Sequence, residues 1–103
     1  MGIVAEIQEK FANEQFEFSR HALDRTIIRM ISVQEIREAI QQAELLEDYP
    51  DDKYGPSCLL LGFTQKRRAL HLQCSYPSRS LIKIITVYEP DAIEWIDFRV
   101  RKG

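Results

Sequence analysis

The sequence predicts an α+β fold in which amino-terminal helices pack on a four-stranded antiparallel sheet and a short helix ends the chain. Two changes in pattern predict this fold. Apolar residues recur at helical spacing over about residues 2–43, and the spacing becomes that of strands over about residues 44–88. A proline followed by an aspartate then opens a last helix over about residues 91–98. A chain of 103 residues is long enough to bury one hydrophobic core, so we expect residues 1–103 to form a single domain.

The helical half of the chain contains three predicted helices. Apolar residues at steps of four indicate an amphipathic helix over residues 2–13, and residues 16–18 form a brief extended link after it. Ser19 is placed to cap a second helix that runs to about Met30. Ser32, followed three residues later by a glutamate, has the spacing of a capping box and begins the third helix.

The second half of the chain alternates apolar runs with turns. We expect four strands in an antiparallel meander, at residues 45–49, 58–63, 69–76 and 81–88. If residues 64–68 form a symmetric turn, Cys58 lies directly opposite Cys74 on the neighbouring strand. Two cysteines make neither a disulfide framework nor a metal site, and we interpret both as buried small apolar residues.

The composition is that of an ordinary globular protein, with 45% hydrophobic and 29% charged residues. The formal net charge of -2 provides no global basic field for nucleic acid, so a nucleic-acid site has to be a local basic patch. No apolar run approaches the length of a membrane span, and the first residues lack the basic and apolar segments of a signal peptide. We therefore expect a cytoplasmic protein that does not contact the membrane.

A histidine and two arginines recur at steps of four in the second predicted helix and therefore form one row on its surface. The row is His21, Arg25 and Arg29, and it lies next to a predicted core stripe of apolar residues, Leu23, Ile27 and Ile28. A group that exchanges protons near neutral pH, next to fixed cations, is what cleavage of a phosphodiester needs. The alternative is structural, with the histidine packed under the extended link and the arginines on a solvated helix face.

The later strands carry a second group of candidate residues. His71 lies on a strand face with alternating polar residues, which we expect to be the more open face of the sheet. Lys83 on the next strand would add a cation to this histidine. Tyr88 is a candidate proton donor or phosphate contact and shares a face with Thr86, whereas strand parity places Lys83 on the opposite face unless a bulge intervenes. The alternative for all four residues is ordinary strand packing.

Two short patterns give the chain a family resemblance. The chain resembles domain-of-unknown-function family 4258 in the Ser-Arg-His-Ala-Leu-Asp-Arg run at residues 19–25, in Arg29, and in the Thr-Val-Tyr run at residues 86–88. The family is grouped with RelE-like and barnase/colicin-like ribonuclease toxins, whose fold is amino-terminal helices followed by a four-stranded antiparallel sheet. The resemblance extends over about residues 16–95 and implies the RelE-like toxin fold for this chain.

The resemblance also implies roles and a partner. It implies His21 and Arg25 as active residues, Arg29 as a supporting cation, and Thr86 and Tyr88 as contributors from the last long strand. Genes of the family often neighbour those of small zinc-finger antitoxins of the MqsA type. The partner implied for this chain is therefore such an antitoxin.

These expectations combine into two functional hypotheses. The first is a toxin-like, metal-independent endoribonuclease of a bacterial or archaeal toxin–antitoxin module, which acts on RNA without a cofactor. Its candidate catalytic residues are His21, Arg25 and Tyr88, and its candidate substrate-binding residues are Arg29, His71, Lys83 and Thr86. The second is a non-catalytic interaction or regulatory domain whose partner or homodimer surface is the apolar side of the second strand, at Leu59, Leu61 and Phe63. The first hypothesis requires the helix row and the last long strand to meet in one groove.

Overall fold

The computed structural model describes residues 2–102 and shows an α+β fold. The helices are α1 (Ile3–Ala12), α2 (Arg20–Ile28) and α3 (Val33–Gln41). The strands are β1 (Phe16–Phe18), β2 (Glu44–Tyr49), β3 (Ser57–Phe63), β4 (Ala69–Ser75), β5 (Ile82–Tyr88), β6 (Trp95–Ile96) and β7 (Val100–Arg101). The first five strands form one sheet in the order β1-β5-β4-β3-β2, and the last two form a separate hairpin.

The starts of α2 and α3 confirm the caps expected from the sequence. The Ser19 hydroxyl oxygen accepts a hydrogen bond of 3.0 Å from the backbone N–H of Ala22. Ser32 and Glu35 form the expected capping box, in which each side chain accepts a bond of 3.0 Å from the other residue's backbone N–H. These bonds satisfy donors that the first turn of a helix leaves without a partner inside the helix.

The antiparallel meander from β2 to β5 also agrees with the prediction. In the β3–β4 pair, Cys58 lies opposite Cys74 as expected, and both thiols are free and buried. Burial raises the pKa of the Cys58 thiol to about 12 and raises that of Cys74 as well. Both cysteines therefore stay protonated near neutral pH and serve as small core residues.

The predicted four-stranded antiparallel sheet is wrong by one strand. Residues 16–18, which the sequence describes only as an extended link, are β1 and pair in parallel with β5, so that Phe16 lies beside Ile82 and Phe18 beside Ile84. The sheet is therefore five-stranded and mixed. A three-residue strand carries little pattern of its own, and its partner lies 66 residues further along the chain.

The predicted carboxy-terminal helix over residues 91–98 is also wrong. This segment contains turns and β6, and the chain reverses at Asp97 and Phe98, where φ is 52° and 63°. The backbone N–H of Arg99 donates 3.0 Å to the carbonyl of Ile96, which closes the turn between β6 and β7. Positive φ at two consecutive residues suits a tight hairpin turn and is incompatible with a right-handed helix.

The hydrophobic core lies between the helices and one face of the sheet. Its largest members from the helices are Ile7, Phe11, Ile36 and Ile40, and those from the strands are Leu60, Leu70, Leu72, Ile82, Ile84 and Val87. Helix α3 lies directly on β3 at Gly62, where an added Cβ atom would come within 1.9 Å of the Ala39 carbonyl oxygen. Close packing at this point depends on the absence of a side chain.

The opposite face of the sheet is more covered than the sequence suggests. His71 is fully buried, and the side of β3 expected to bind a partner is closed, because Leu59 and Leu61 are only 3% and 1% exposed. The carboxy-terminal segment covers this face, with Trp95 packed edge-on against His71 and the Phe98 ring against Phe63. The predictions of an open face and of a partner surface on β3 are therefore both wrong.

Candidate functional site

Helix α2 lies along the edge of β5 where β1 ends. Strand β1 pairs with β5 only as far as Ile84. Beyond that point the Ser19 hydroxyl donates 3.0 Å to the carbonyl of Ile85, and the Arg29 guanidinium donates 2.7 Å to the carbonyl of Val87. Ser19 and Arg29 thus bond to two backbone carbonyl groups of β5 that β1 does not reach, and these bonds hold α2 in register with β5.

The buried face of α2 differs from the one expected. It contains two small residues, Ala22 and Thr26, which are 0% and 8% exposed. The large apolar residues of the helix and its end are instead exposed, at 50% for Leu23, 72% for Ile27, 67% for Ile28 and 82% for Met30. The interpretation of Leu23, Ile27 and Ile28 as core positions is wrong, because α2 approaches the sheet through its small residues.

The row of His21, Arg25 and Arg29 lies along the outer part of α2. His21 and Arg29 are exposed, and Arg25 is half-buried. Eight residues separate His21 from Arg29, which corresponds to about 12 Å along a helix axis. Because His21 is exposed, it is not packed under β1. The row extends away from the end of β5 to which Arg29 is bound.

A β-bulge in β5 determines whether Lys83 shares a sheet face with Thr86 and Tyr88. Gln73 pairs with Thr86 and Cys74 pairs with Ile84, so Ile85 is an extra residue in β5. Because of this bulge, Lys83, Thr86 and Tyr88 all lie on the sheet face away from the helices. From the sequence, these three side chains could share one face only if β5 contained a bulge. The structure contains this bulge.

Arg29 and Tyr88 meet at one open cavity. The cavity has a volume of about 430 Å³ and is lined by Arg29, Tyr88, Glu89 and Glu94. It lies where the end of α2 reaches the end of β5, and of the helix row only Arg29 meets the last long strand there. His21 and Arg25 are not among its lining residues and lie further along α2.

Arg68 holds this cavity in shape, and no pattern in the sequence singles it out. One guanidinium nitrogen donates 2.9 Å to the Met30 carbonyl and 3.0 Å to the Glu35 carboxylate. The other donates 3.0 Å to the Arg29 carbonyl and 2.8 Å to the Glu89 carboxylate. These two carboxylates raise the pKa of Arg68. The four bonds of Arg68 join the end of α2 to α3 and to the residue that follows β5.

His71 is placed behind Tyr88 and takes part in a closed set of contacts. Its Nε2 lies 2.7 Å from the Phe98 carbonyl oxygen and its Nδ1 lies 3.2 Å from the Tyr88 hydroxyl. A carbonyl only accepts, so Nε2 carries the proton and Nδ1 of the neutral ring accepts from Tyr88. Burial lowers the pKa of His71, which keeps the ring neutral. The expected pairing with Lys83 does not form, because the backbone of Lys83 bonds to Ser75 at the far end of β4.

A comparison with protein families identifies the matched part of the chain. Residues 18–89 match the family model DUF4258, which is described as a domain of unknown function. The chain belongs to this family. The DUF4258 match runs from the last residue of β1 to just past β5 and contains all seven candidate site residues. It ends before the hairpin that covers His71. Searches of curated proteins and of solved structures found no match.

Two further observations concern the described residues. Among residues 2–102, no three His, Cys, Asp or Glu side chains are grouped so that they would hold a metal ion. No helix in the same part of the chain is long and apolar enough to cross a membrane. The longest, α1, has 10 residues, whereas a membrane-spanning helix needs about 20.

Proposed function

We propose that the chain is a toxin-like, metal-independent endoribonuclease of a toxin–antitoxin module, built on a variant of the RelE-like toxin fold. The observation that supports this proposal is the open cavity shared by Arg29 of α2 and Tyr88 of β5. A cation and a phenol from two separate elements converge there beside two carboxylates, of which Glu89 is paired with Arg68. Arg25 and His21 lie outside the cavity, further along α2, and in this proposal they supply a second cation and a proton-transfer group to RNA that extends from the cavity along the helix.

The reaction needs a base, an acid and cations. The 2′-oxygen of RNA attacks the adjacent phosphorus, the bond from phosphorus to the 5′-oxygen breaks, and a 2′,3′-cyclic phosphate and a 5′-hydroxyl form. A base takes the proton of the 2′-hydroxyl, an acid gives a proton to the departing 5′-oxygen, and cations stabilise the charge on the phosphoryl oxygens.

Each candidate residue has a role in this proposal. Arg29 and Arg25 bind the phosphoryl oxygens, since a guanidinium has five donors and Arg29 uses one of them on Val87. His21 takes the proton of the 2′-hydroxyl as the base and gives it to the departing 5′-oxygen as the acid. Burial raises the pKa of Tyr88, so its phenol keeps its proton, and in the proposed complex the O–H turns from Nδ1 of His71 to a phosphoryl oxygen. Thr86, half-buried on the same face, lines the path of the strand.

The test is cleavage of a labelled single-stranded RNA by the purified protein in the presence of EDTA. We expect products that end in a 2′,3′-cyclic phosphate. Removing a proton-transfer group costs about 100-fold or more, so His21→Ala is expected to reduce the rate by at least that factor. His21 is exposed, so the variant is expected to unfold at the same temperature as the wild type.

The matched control is Arg20→Ala, which removes an exposed cation next to His21 but outside the row. We expect its rate to stay within about threefold of the wild type, because an isolated exposed charge contributes little. Equal cleavage by wild type and His21→Ala would refute the role of His21. Cleavage that EDTA abolishes would refute the metal-independent mechanism.

A second candidate function is protein interaction, and the exposed apolar surface of α2 favours it. Leu23, Ile27, Ile28 and Met30 present four large apolar side chains to solvent, which is unusual for one short helix unless another protein covers it. The partners proposed for this surface are the small zinc-finger antitoxin implied by the family resemblance and a second copy of the chain. Either partner would lie beside the row of His21, Arg25 and Arg29.

Self-association tests the second candidate directly. If two copies meet through α2, sedimentation should show a dimer for the wild type and a monomer for Ile27→Lys, since burying an unpaired ammonium in an apolar interface is costly. Ile93→Lys is the control, because Ile93 is 78% exposed on another part of the surface. A wild-type monomer at all concentrations, or an Ile27→Lys dimer, would rule out the α2-mediated homodimer.

A further inference from the structure

A second cavity lies at the opposite end of β5 from the Arg29–Tyr88 cavity. It is formed between the start of α2, the loop from β2 to β3, and the turn that precedes β5. Its polar lining residues are Ser19, Asp52, Tyr54, Ser75, Arg79 and Lys83. Its volume of about 160 Å³ is smaller than the roughly 300 Å³ at which drug-sized ligand pockets begin, so a small group fits it better than a whole nucleoside.

Two cations and one carboxylate line this cavity, and Glu17 of β1 lies beside Lys83 without forming an ion pair with it. Among residues 2–102, the arginines in ion pairs are Arg37, Arg68, Arg99 and Arg101. Lys83 and Arg79 are outside that group, although Lys83 is half-buried. The carboxylate in the wall, Asp52, accepts hydrogen bonds from Ser57 at 2.6 Å and Gln73 at 3.4 Å. Two cations against one engaged carboxylate leave a net positive charge, which favours an anion.

The two serine hydroxyl groups of the cavity differ in whether the hydroxyl proton is already used in a hydrogen bond. The Ser19 hydroxyl already accepts from Ala22 and donates to Ile85, so it forms a fixed part of the wall. The Ser75 oxygen accepts 2.8 Å from the backbone N–H of Lys83, which leaves its own proton as a donor. Ser75 is only 3% exposed. A buried hydroxyl donor in a cavity that two cations also line is a suitable partner for a phosphoryl oxygen.

The turn that carries Arg79 is held in place by another cation. The Lys10 ammonium of α1 donates 2.8 Å to the Arg79 carbonyl. Because this bond uses the backbone, it leaves the Arg79 guanidinium available. Lys83 is fixed independently by its place in β5. The two cations therefore come from segments whose backbones are anchored separately before any ligand arrives.

We propose that this cavity binds a phosphate group of the RNA strand, away from the bond that is cleaved. Lys83 and Arg79 pair with the phosphoryl oxygens, and Ser75 donates a hydrogen bond to one of them. This inference rests on the proposed endoribonuclease function. Lys83 and Tyr88 are five residues apart in β5, so about 16 Å separates the two cavities. A short single strand spans that distance and would be bound at both ends of β5.

Phosphate binding is tested first with inorganic phosphate and the full-length chain, by following backbone amide signals in NMR titrations. We expect saturable shifts at Lys83 and Ser75. Loss of a charge-assisted hydrogen bond weakens binding about tenfold, so Lys83→Gln and Arg79→Gln should each raise Kd by about that factor. Arg79 is exposed, which makes Arg79→Gln informative even if Lys83→Gln fails to fold. The control is Lys66→Gln, which removes an exposed cation from the β3–β4 turn.

The second arm uses RNA and separates the two proposals. We expect the wild type to have a lower KM for an oligonucleotide of about eight residues than for a dinucleotide. In Lys83→Gln and Arg79→Gln, the ratio of the dinucleotide KM to the oligonucleotide KM should fall about tenfold. Phosphate binding that depends on Lys83 and Arg79, without any RNA cleavage, would support an oxyanion site and refute the endoribonuclease. If the protein cleaves RNA but does not bind phosphate, or binds it with the same Kd in the wild type and both variants, the proposed subsite is wrong. The endoribonuclease proposal would then still stand.

Discussion

Replacing Gly62 with alanine is expected to destabilise the fold severely, although the substitution adds only one methyl group. The new Cβ atom would come within 1.9 Å of the Ala39 carbonyl oxygen and 2.5 Å of its carbonyl carbon. Both belong to the backbone of α3, so no side chain can rotate to relieve the overlap, and α3 has to move away from β3. We expect a loss of about 3 kcal/mol or more in the free energy of unfolding. For a chain of this size, that lowers Tm by about 12 °C or more.

Thermal and urea unfolding measure this loss. Gly2→Ala is the matched control, because a Cβ atom at Gly2 meets nothing within 4 Å. Its free energy of unfolding should stay within about 0.5 kcal/mol of the wild type. A Gly62→Ala variant with the wild-type Tm would show that α3 is not packed on β3 as closely as the structure has it.

Truncating His71 to alanine is expected to release the carboxy-terminal segment from the sheet. The ring is fully buried, bonds to the Phe98 carbonyl and the Tyr88 hydroxyl, and packs edge-on against Trp95 at 4.5 Å between ring centroids. Its loss leaves a cavity and two partly buried polar groups without their partner. We expect a cost of about 3 kcal/mol, measured by urea unfolding. Faster amide hydrogen exchange in β6 and β7 should accompany it.

The same residue predicts a dependence of stability on pH. Burial lowers the pKa of His71 below its ordinary 6.5, while Glu47 and the Phe98 carbonyl oppose this effect. The unfolded chain therefore binds a proton at a higher pH than the folded chain. The stabilisation is complete above about pH 6.5 and is lost as the pH falls toward the lowered value, with a slope of up to about 1.4 kcal/mol per pH unit.

His71→Gln is the control for this slope, because glutamine offers a donor and an acceptor but does not titrate. We expect the wild type to lose stability between about pH 6.5 and pH 5, and His71→Gln to lose clearly less over that range. Carboxylates contribute at lower pH in both proteins. Parallel pH profiles for the two proteins would contradict the assignment of a neutral, buried His71.

The elements predicted correctly depend on residues that are close together in the chain. Ser19 and Ser32 cap helices through bonds that reach only three residues ahead, so the pattern contains the whole interaction. The pairing of Cys58 with Cys74 follows from the turn between β3 and β4, because a hairpin transmits the geometry of its turn to every pair in the ladder.

The errors in the fold concern contacts between distant residues. Strand β1 exists because of its parallel pairing with β5, and three residues do not reveal that partner. The hairpin of β6 and β7 replaces the expected helix because Trp95 and Phe98 cover the face that contains His71. A helical pattern of apolar residues did not outweigh that burial, since tertiary packing overrides weak local preference.

For the candidate site, the sequence by itself determined the row of His21, Arg25 and Arg29 on one helix, because helical spacing alone places residues at steps of four on one side. Only the tertiary structure decided what each end of that row meets. Arg29 reaches the end of β5 and the Tyr88 cavity, where Arg68 bonds to the ends of α2 and β5 and to α3. Lys83 reaches the face of Tyr88 through the bulge at Ile85. Periodicity encodes which residues share a face, whereas docking depends on packing and hydrogen bonds between segments far apart in the chain.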